Sequence, residues 1–179
     1  MLTIRSAEAE DAARIANVHV KTWRATYQGI LPQSFLNNFT EDQRFTEDQR
    51  AIAWVRIMKH MGGNEGVLVS ENLDGEIVGF VSYGPIRSVI PGHEGEISSL
   101  YILPGFQKEG HGRRLFLAAS NRLAQAGLSG LAVWMLRDNP AGAFYKRMGG
   151  TVVSSRTIAE AGVELDEIAY GWEEIPSYG

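Results

Sequence analysis

The first third of the chain carries a short apolar segment followed by two helical periodicities. Leu2 to Arg5 predicts a strand. Apolar side chains then recur at helical spacing from Ala12 to Trp23, which predicts an amphipathic helix over about Glu8 to Tyr27. A second helical region is predicted over Thr40 to His60. Its apolar face is predicted to consist of Phe45, Ile52, Val55 and Met58.

The middle of the chain is rich in β-forming residues and turn signals. Val67 to Ser70 and Ile77 to Tyr83 flank the turn residues Asp74 and Gly75, which predicts an antiparallel hairpin. A third strand is predicted over Glu94 to Leu103. The connection before it is expected to be a loop because it contains Pro85, Pro91 and Gly92.

The last third alternates helix and strand before it ends in a hairpin. A helical period runs from Gly110 to Gly127, and a continuous apolar strand is predicted over Leu131 to Leu136. Pro140 opens a short helix that stops at Gly149. Two further strands are expected over Thr151 to Ala159 and Val163 to Ile175.

This element order predicts the α/β class, with a mixed and mostly antiparallel central sheet flanked by helices. No linker or composition shift interrupts residues 1–179, so one domain is expected over the whole chain.

Composition narrows the function by exclusion. Hydrophobic residues make up 44% and charged residues 21%, as in ordinary globular proteins. The net charge of −4 argues against nucleic-acid binding. The absence of cysteine excludes disulfides, thiolate metal sites and a cysteine nucleophile, and no metal site is predicted from the histidine spacing. Without a signal peptide or membrane-length apolar run, a cytoplasmic protein with no membrane partner is expected.

The most informative segment is a predicted strand, loop and helix over Glu96 to Leu117. Backbone N–H groups of such a loop converge with the helix N-terminus on an anion site, for which pyrophosphate is the natural ligand. Gly110 and Gly112 would permit close approach of that ligand. A dinucleotide fingerprint would need glycine where Leu115 stands, and a P-loop would need a Gly-Lys pair that the chain lacks.

Three motifs resemble the GNAT N-acetyltransferase superfamily. The segment from Gln107 to Gly112, after Leu100 to Pro104, is similar to the coenzyme-A signature Q/R-x-x-G-x-G/A. Residues 139–149 resemble the later acetyl-CoA motif of that family, and 23–32 resemble the W-R-x-x-Y-x-G-I/L-L-P opening of a common bacterial branch. Lys108 departs from the pattern, because many relatives have glycine there.

The resemblance implies a GNAT fold and acetyl-CoA as cofactor. Members of the family often dimerise, so a homodimer is compatible with the resemblance, although the sequence itself does not determine the oligomeric state. The cofactor would lie in a splay between strands 97–103 and 131–136, with backbone pairing to the pantetheine arm and the pyrophosphate on the loop. Tyr145 would face the thioester sulfur. The implied cofactor-binding residues are Leu100, Tyr101, Ile102, Gln107, Lys108, Gly110, His111, Gly112, Arg113, Asn139 and Tyr145.

Acetylation of an amine needs a base for the ammonium and an acid for the leaving thiolate. Tyr145 is the predicted acid. Glu96, acting directly or through water, is the favoured base, because strand alternation would place it on the same face as Glu94 and Leu100. His93 is an alternative base. N–H groups of Leu100 and Ile102 would stabilise negative charge on the thioester oxygen.

The acceptor is less well specified. Trp23, Tyr27 and Tyr83 are candidates to line an acceptor pocket. A small-molecule amine is the favoured acceptor. Two alternatives stay open: a protein N-terminus or lysine as acceptor, and a non-catalytic acyl-CoA-binding sensor.

Overall fold

The computed structural model describes residues 3–36, 46–160 and 162–177. Seven strands are formed: β1 (Thr3–Ser6), β2 (Gly66–Glu71), β3 (Ile77–Ile90), β4 (His93–Ile102), β5 (Leu131–Leu136), β6 (Thr151–Glu160) and β7 (Val163–Trp172). The helices are α1 (Ala12–Tyr27), α2 (Glu47–His60), α3 (His111–Gln125) and α4 (Gly142–Arg147). Short 3-10 turns at Ala9–Asp11 and Pro104–Phe106 precede α1 and α3. No helix within the described ranges is both long and apolar enough to cross a membrane.

The strands form one sheet in the order β1-β2-β3-β4-β5-β7-β6. All neighbours are antiparallel except β4 and β5, which run parallel. The α/β class and the mostly antiparallel sheet predicted from the sequence are confirmed. Because β4 and β5 are parallel, their connection must run back over one face of the sheet, and α3 forms that crossover.

Helices cover both faces of the sheet. The α3 side chains, including Leu115 and Phe116, pack with α4 and with Val81 of β3 on one face. On the other face α1 packs with Trp54 of α2 against Phe80 of β3. The stretch 40–45 of the second predicted helix, Phe45 included, lies outside the described residues.

The predicted apolar face of the second helix is right at Met58, which packs against the core beneath α1, but wrong at Ile52 and Val55. Ile52 and Val55 are 57% and 45% exposed, whereas Trp54 is 2% exposed and packs between α1 and the sheet. Trp54 also donates its indole N–H to His19 Nδ1 at 3.2 Å. Helix α2 is therefore oriented by one large aromatic side chain rather than by its β-branched residues.

The expected loop around Pro85 is also wrong, because β3 continues to Ile90 and turns directly into β4. Within the part of the chain that the structure describes, β2 pairs with β3 only as far as Tyr83, so β3 is an edge strand beyond that residue. A proline is tolerated in such an edge strand because its missing N–H can lie on the side that has no partner strand.

Strand β4 contains a bulge at Ser98. Ser82 pairs with Ser99, but the next residue, Tyr83, pairs with Ile97, which leaves Ser98 as an extra residue. A bulge reverses the alternation of side chains that follow it. Ile97 and Leu100 accordingly both pack on the α3 face, although they are three residues apart.

Candidate active site

Strands β4 and β5 separate soon after they meet. Among the described residues, their pairing consists of Gly95 with Leu131 and Glu96 with Ala132. Beyond these pairs the strands splay and leave a wedge-shaped cavity of about 60 Å³. We call this cavity the wedge; Leu100 and Tyr101 of β4 line one wall, and Val133 to Met135 of β5 line the other.

The backbone of β4 presents unpaired groups to the wedge. Leu103 N–H donates to Val78 C=O at 2.9 Å, and Ile102 is opposite Gly79, so Ile102 is a non-hydrogen-bonded partner of β3. Leu100, two residues earlier, is likewise a non-hydrogen-bonded partner of β3. The N–H and C=O groups of Leu100 and Ile102 therefore point toward β5, which is no longer paired with β4 at this level. The Ile102 carbonyl accepts a hydrogen bond from Gln107 Nε2 at 3.0 Å, which ties the following loop to the strand.

The loop after β4 leads into the N-terminus of α3. Gly110 caps the helix with φ 91°, and Lys108 has φ 66°, the left-handed conformation that glycine adopts most readily. Lys108 thus keeps the backbone shape that a glycine would give at this position, at a cost of roughly 1 kcal/mol. The N–H groups of His111, Gly112 and Arg113 lie in the first turn, where a helix has no carbonyl partner for them.

The side chain of His111 does not face the loop's exterior. It is 3% exposed, and its Nδ1 shares a 2.8 Å hydrogen bond with Ser70 Oγ of β2. Burial lowers the pKa of His111, so the imidazole is neutral at pH 7. His111 therefore anchors α3 on the sheet with its side chain, and only its backbone N–H is available at the helix N-terminus.

The side chains predicted from the second motif close the wedge. Tyr145 of α4 and Asn139, in the loop before that helix, both line it. Asn139 Oδ1 accepts from Ala141 N–H at 2.9 Å, and its Nδ2 donates to the Tyr27 hydroxyl at 3.3 Å. Burial raises the pKa of Tyr145, which keeps its phenol protonated across the neutral range.

A second and larger cavity, of about 420 Å³, lies on the face covered by α1 and α2. We call it the larger cavity. Arg50, Trp54 and His60 of α2 line it opposite Tyr83 and Glu96 of the sheet. His19 of α1 also lines it, and burial lowers the pKa of this imidazole to about 3. His19 is therefore a neutral, packed side chain.

Glu96 is the buried carboxylate of the larger cavity. It is 3% exposed and accepts three hydrogen bonds from Arg87, two from the guanidinium at 2.6 and 3.2 Å and one from the backbone N–H at 3.0 Å. The Arg87 side chain itself is 73% exposed. The expectation that Glu96 shares a face with Leu100 is wrong, because the bulge at Ser98 lies between them. Leu100 packs on the α3 face, and Glu96 lies on the face of α1 and α2.

Two other candidates lie elsewhere. Trp23 contacts Tyr27 in a tilted arrangement, with ring centroids 5.2 Å apart and planes at 55°, and it packs with Leu31 and Phe35. It lines neither of the two described cavities. His93, the alternative base, is buried beside the β3–β4 turn with its Nδ1 bonded to Pro91 C=O at 2.9 Å. It too is outside the described linings.

The two cavities meet at the bulge, because Ser98 and Ser99 line both of them. Ser98 Oγ is 2.7 Å from Ser82 Oγ, so a pair of hydroxyls marks the junction. These serines, Arg87 and Arg50 were not predicted as site residues. A signal for the bulge was nevertheless present in the sequence, since the apolar positions Ile97, Leu100 and Ile102 break the two-residue period of a strand.

This arrangement defines a class of protein. Backbone groups of Leu100 and Ile102 face the gap beside β5, and the loop after β4 leads to a helix N-terminus suited to an anion. The wedge shares Ser98 and Ser99 with a separate pocket that contains a carboxylate. Such a site suits a transferase that holds a donor and an acceptor on opposite sides of one strand.

Comparisons with known proteins agree with that class. Residues 23–150 match the model of the Acetyltransferase (GNAT) family. The chain is 35% identical over 175 residues to the uncharacterized N-acetyltransferase YuaI of Bacillus subtilis (strain 168), covering 98% of this chain and 95% of that protein. It is 21% identical over 149 residues to a spermidine N(1)-acetyltransferase of Thermoplasma acidophilum, covering 83% and 87% of the two chains.

Solved structures share the fold. The acetyltransferase yncA from Salmonella typhimurium, solved with its cofactor acetyl-CoA, superimposes with a TM-score of 0.68 at 23% identity, over 100% of this chain and 96% of that one. The protein belongs to the GNAT acetyltransferase family and is an acetyltransferase that acts on amines, as the motifs implied.

Proposed function

We propose that this protein transfers an acetyl group from acetyl-CoA to the amine of a small molecule while both are bound. The observation that carries the proposal is the meeting of the two cavities at Ser98 and Ser99. A donor in the wedge and an acceptor in the larger cavity would then contact each other through the bulge. No covalent acetyl-enzyme is required, and the chain has no cysteine to form one by thiol attack.

The residues around the wedge fit acetyl-CoA. The C=O of Leu100 and the N–H of Ile102 would bind the amides of the pantetheine arm in the manner of an added strand. N–H groups from Gly110 to Arg113, with the Arg113 guanidinium, would hold the pyrophosphate. Bound there, acetyl-CoA supplies the acetyl group as a thioester.

The chemistry is divided between the two sides of β4. On the side of the larger cavity, Glu96, directly or through a water, removes a proton from the ammonium so that the nitrogen gains a lone pair. As the new N–C bond forms, the N–H of Leu100 stabilises charge on the carbonyl oxygen. Tyr145 supplies a proton to the sulfur as the C–S bond breaks and its electron pair goes to sulfur. The nitrogen loses its second proton as the amide forms, and this proton, passed through water, restores the phenol.

The larger cavity favours a small acceptor over a protein. Its volume of about 420 Å³ lies within the roughly 300–1,000 Å³ of small-molecule sites. Helix α2 lines this cavity. Its Trp54 is 2% exposed and packs against Phe80 and His19. A relative acts on spermidine, which is consistent with a small amine as acceptor.

The experiment is a comparison of acceptors. Acetyl-CoA-dependent thiol release is measured with a panel of small amines that includes polyamines and amino acids. In parallel, intact mass is measured on peptides with free N-termini and lysines. Turnover of a small amine, with no acetylated peptide, is expected. Acetylated peptides alone would establish a protein acetyltransferase, and acetyl-CoA binding without any turnover would establish a sensor.

A further inference from the structure

Tyr27, a candidate acceptor-pocket residue by sequence, lies on the donor side of the site. It ends α1, is 9% exposed, and lines the wedge together with Tyr145 and Asn139. It is not among the residues that line the larger cavity. The position of its ring is fixed by Trp23, whose ring centroid is 5.2 Å away.

The hydrogen bonds of the Tyr27 hydroxyl leave one direction open. Its oxygen accepts from Asn139 Nδ2 at 3.3 Å. The Tyr101 side chain interacts with the same hydroxyl. A phenol oxygen that accepts from Asn139 still has its own proton to donate in a hydrogen bond. Because Tyr27 lines the wedge, a ligand bound there would lie beside this residue.

The same hydroxyl also supports the helix that carries Tyr145. Asn139 is bound on both sides, by Tyr27 at Nδ2 and by the Ala141 N–H at Oδ1. Ala141 is the N-cap of α4, on which Tyr145 lies. The bond to Tyr27 thus connects α1 to the start of α4 across 112 residues of sequence.

Building on the proposed function, we propose that Tyr27 is a positioning residue for the acetyl donor. Its hydroxyl accepts a hydrogen bond from Asn139 and so supports the start of α4. The same hydroxyl donates a hydrogen bond to a carbonyl oxygen of the acyl-pantetheine chain. The acceptor is not contacted by Tyr27.

The test is calorimetric titration of acetyl-CoA into the wild type and into Tyr27→Phe, combined with steady-state kinetics. The substitution keeps the aromatic ring and its contact with Trp23. Loss of one neutral hydrogen bond is expected to raise the Kd for acetyl-CoA by about 3- to 10-fold. The KM for the acceptor amine is expected to change by less than about twofold, since the bond lost is on the donor side.

Two further variants sharpen the result. Asn139→Asp keeps the Oδ1 acceptor but removes the donor to Tyr27, so it should weaken acetyl-CoA binding, and the double variant should lose less than the sum of the two. Tyr83→Phe removes a hydroxyl from a residue that lines only the larger cavity, so it should leave the Kd for acetyl-CoA unchanged.

The opposite split would overturn the inference. If Tyr27→Phe raised the acceptor KM and left the Kd for acetyl-CoA unchanged, Tyr27 would belong to the acceptor side. An unchanged Kd in both Tyr27→Phe and Asn139→Asp would equally refute it. Failure of the wild type to bind acetyl-CoA would refute the proposed function itself, a distinct outcome that the titration identifies first.

Discussion

Replacing Tyr145 with phenylalanine tests the role of the wedge in chemistry with little effect on the fold. The substitution removes one hydroxyl from a side chain that is 6% exposed. The ring keeps its neighbours, since Phe144, Tyr170 and Trp172 lie at centroid distances of 5.2, 5.9 and 6.3 Å. We therefore expect the free energy of unfolding to change by less than about 1 kcal/mol.

The expected effect on catalysis is much larger. Burial raises the pKa of Tyr145, so the phenol is protonated and able to donate at every pH from 6 to about 9. Removal of a general acid typically costs about 100-fold or more in rate, which corresponds to roughly 2.7 kcal/mol of transition-state stabilisation. Since the wild-type phenol does not ionise in this range, the defect should be nearly independent of pH.

The assay is thiol release at saturating acetyl-CoA, with the Kd for acetyl-CoA measured separately. Tyr170→Phe is the matched control, because it removes a hydroxyl from the neighbouring buried ring, which lines neither described cavity. We expect kcat to fall about 100-fold in Tyr145→Phe and to stay within about twofold of wild type in the control. Full kcat in Tyr145→Phe at every pH would refute the assignment of Tyr145 as the acid.

Three further predictions follow. Glu96→Gln should lower kcat/KM for the amine by about 10- to 100-fold and leave the Kd for acetyl-CoA unchanged. Glu65→Gln, in the exposed part of the larger cavity, should have little effect. Equal effects of the two substitutions would count against Glu96 as the base. Lys108→Gly should stabilise the protein by up to about 1 kcal/mol in urea unfolding and Lys108→Ala should not, because only glycine relieves a φ of 66°. Hydrogen bonds from Arg5 chiefly lower the pKa of Asp11 from 3.8 to about 2, so this carboxylate stabilises the fold above pH 3.8 and the contribution is lost as pH falls through 2. Asp11→Asn should therefore cost about 1–2 kcal/mol at pH 7, with screening by its partly exposed arginines included, and less at pH 2; an equal cost at both would contradict the ionic origin.

Much of the fold could be predicted because local rules determine it. The bounds predicted for β5, Leu131 to Leu136, are those observed, since a continuous apolar run between glycine and a polar turn admits few alternatives. The order of elements and the mixed sheet follow from the same rules. The loop before α3 could be predicted because its conformation depends on backbone shape, which glycines and a helix start reveal in sequence.

The errors have a common physical origin in tertiary contacts. Which side of α2 is buried depends on Trp54 finding His19 and Phe80, residues far away in sequence. The face occupied by Glu96, relative to Leu100, depends on one extra residue in β4. This residue reverses the alternation of side chains along the strand and places Leu100 on the opposite face of the sheet from Glu96. Tyr27 lines the wedge and not the larger cavity, and an aromatic residue in a sequence motif does not reveal which cavity it will line.

The most direct test of the central claim is the initial-velocity pattern with acetyl-CoA and an active small amine varied together. If donor and acceptor occupy the wedge and the larger cavity at the same time, double-reciprocal lines should intersect. Protein incubated with acetyl-CoA alone should then show no added acetyl group by intact mass. Parallel lines, together with an acetylated enzyme that passes its acetyl group to the amine, would contradict direct transfer across the bulge at Ser98.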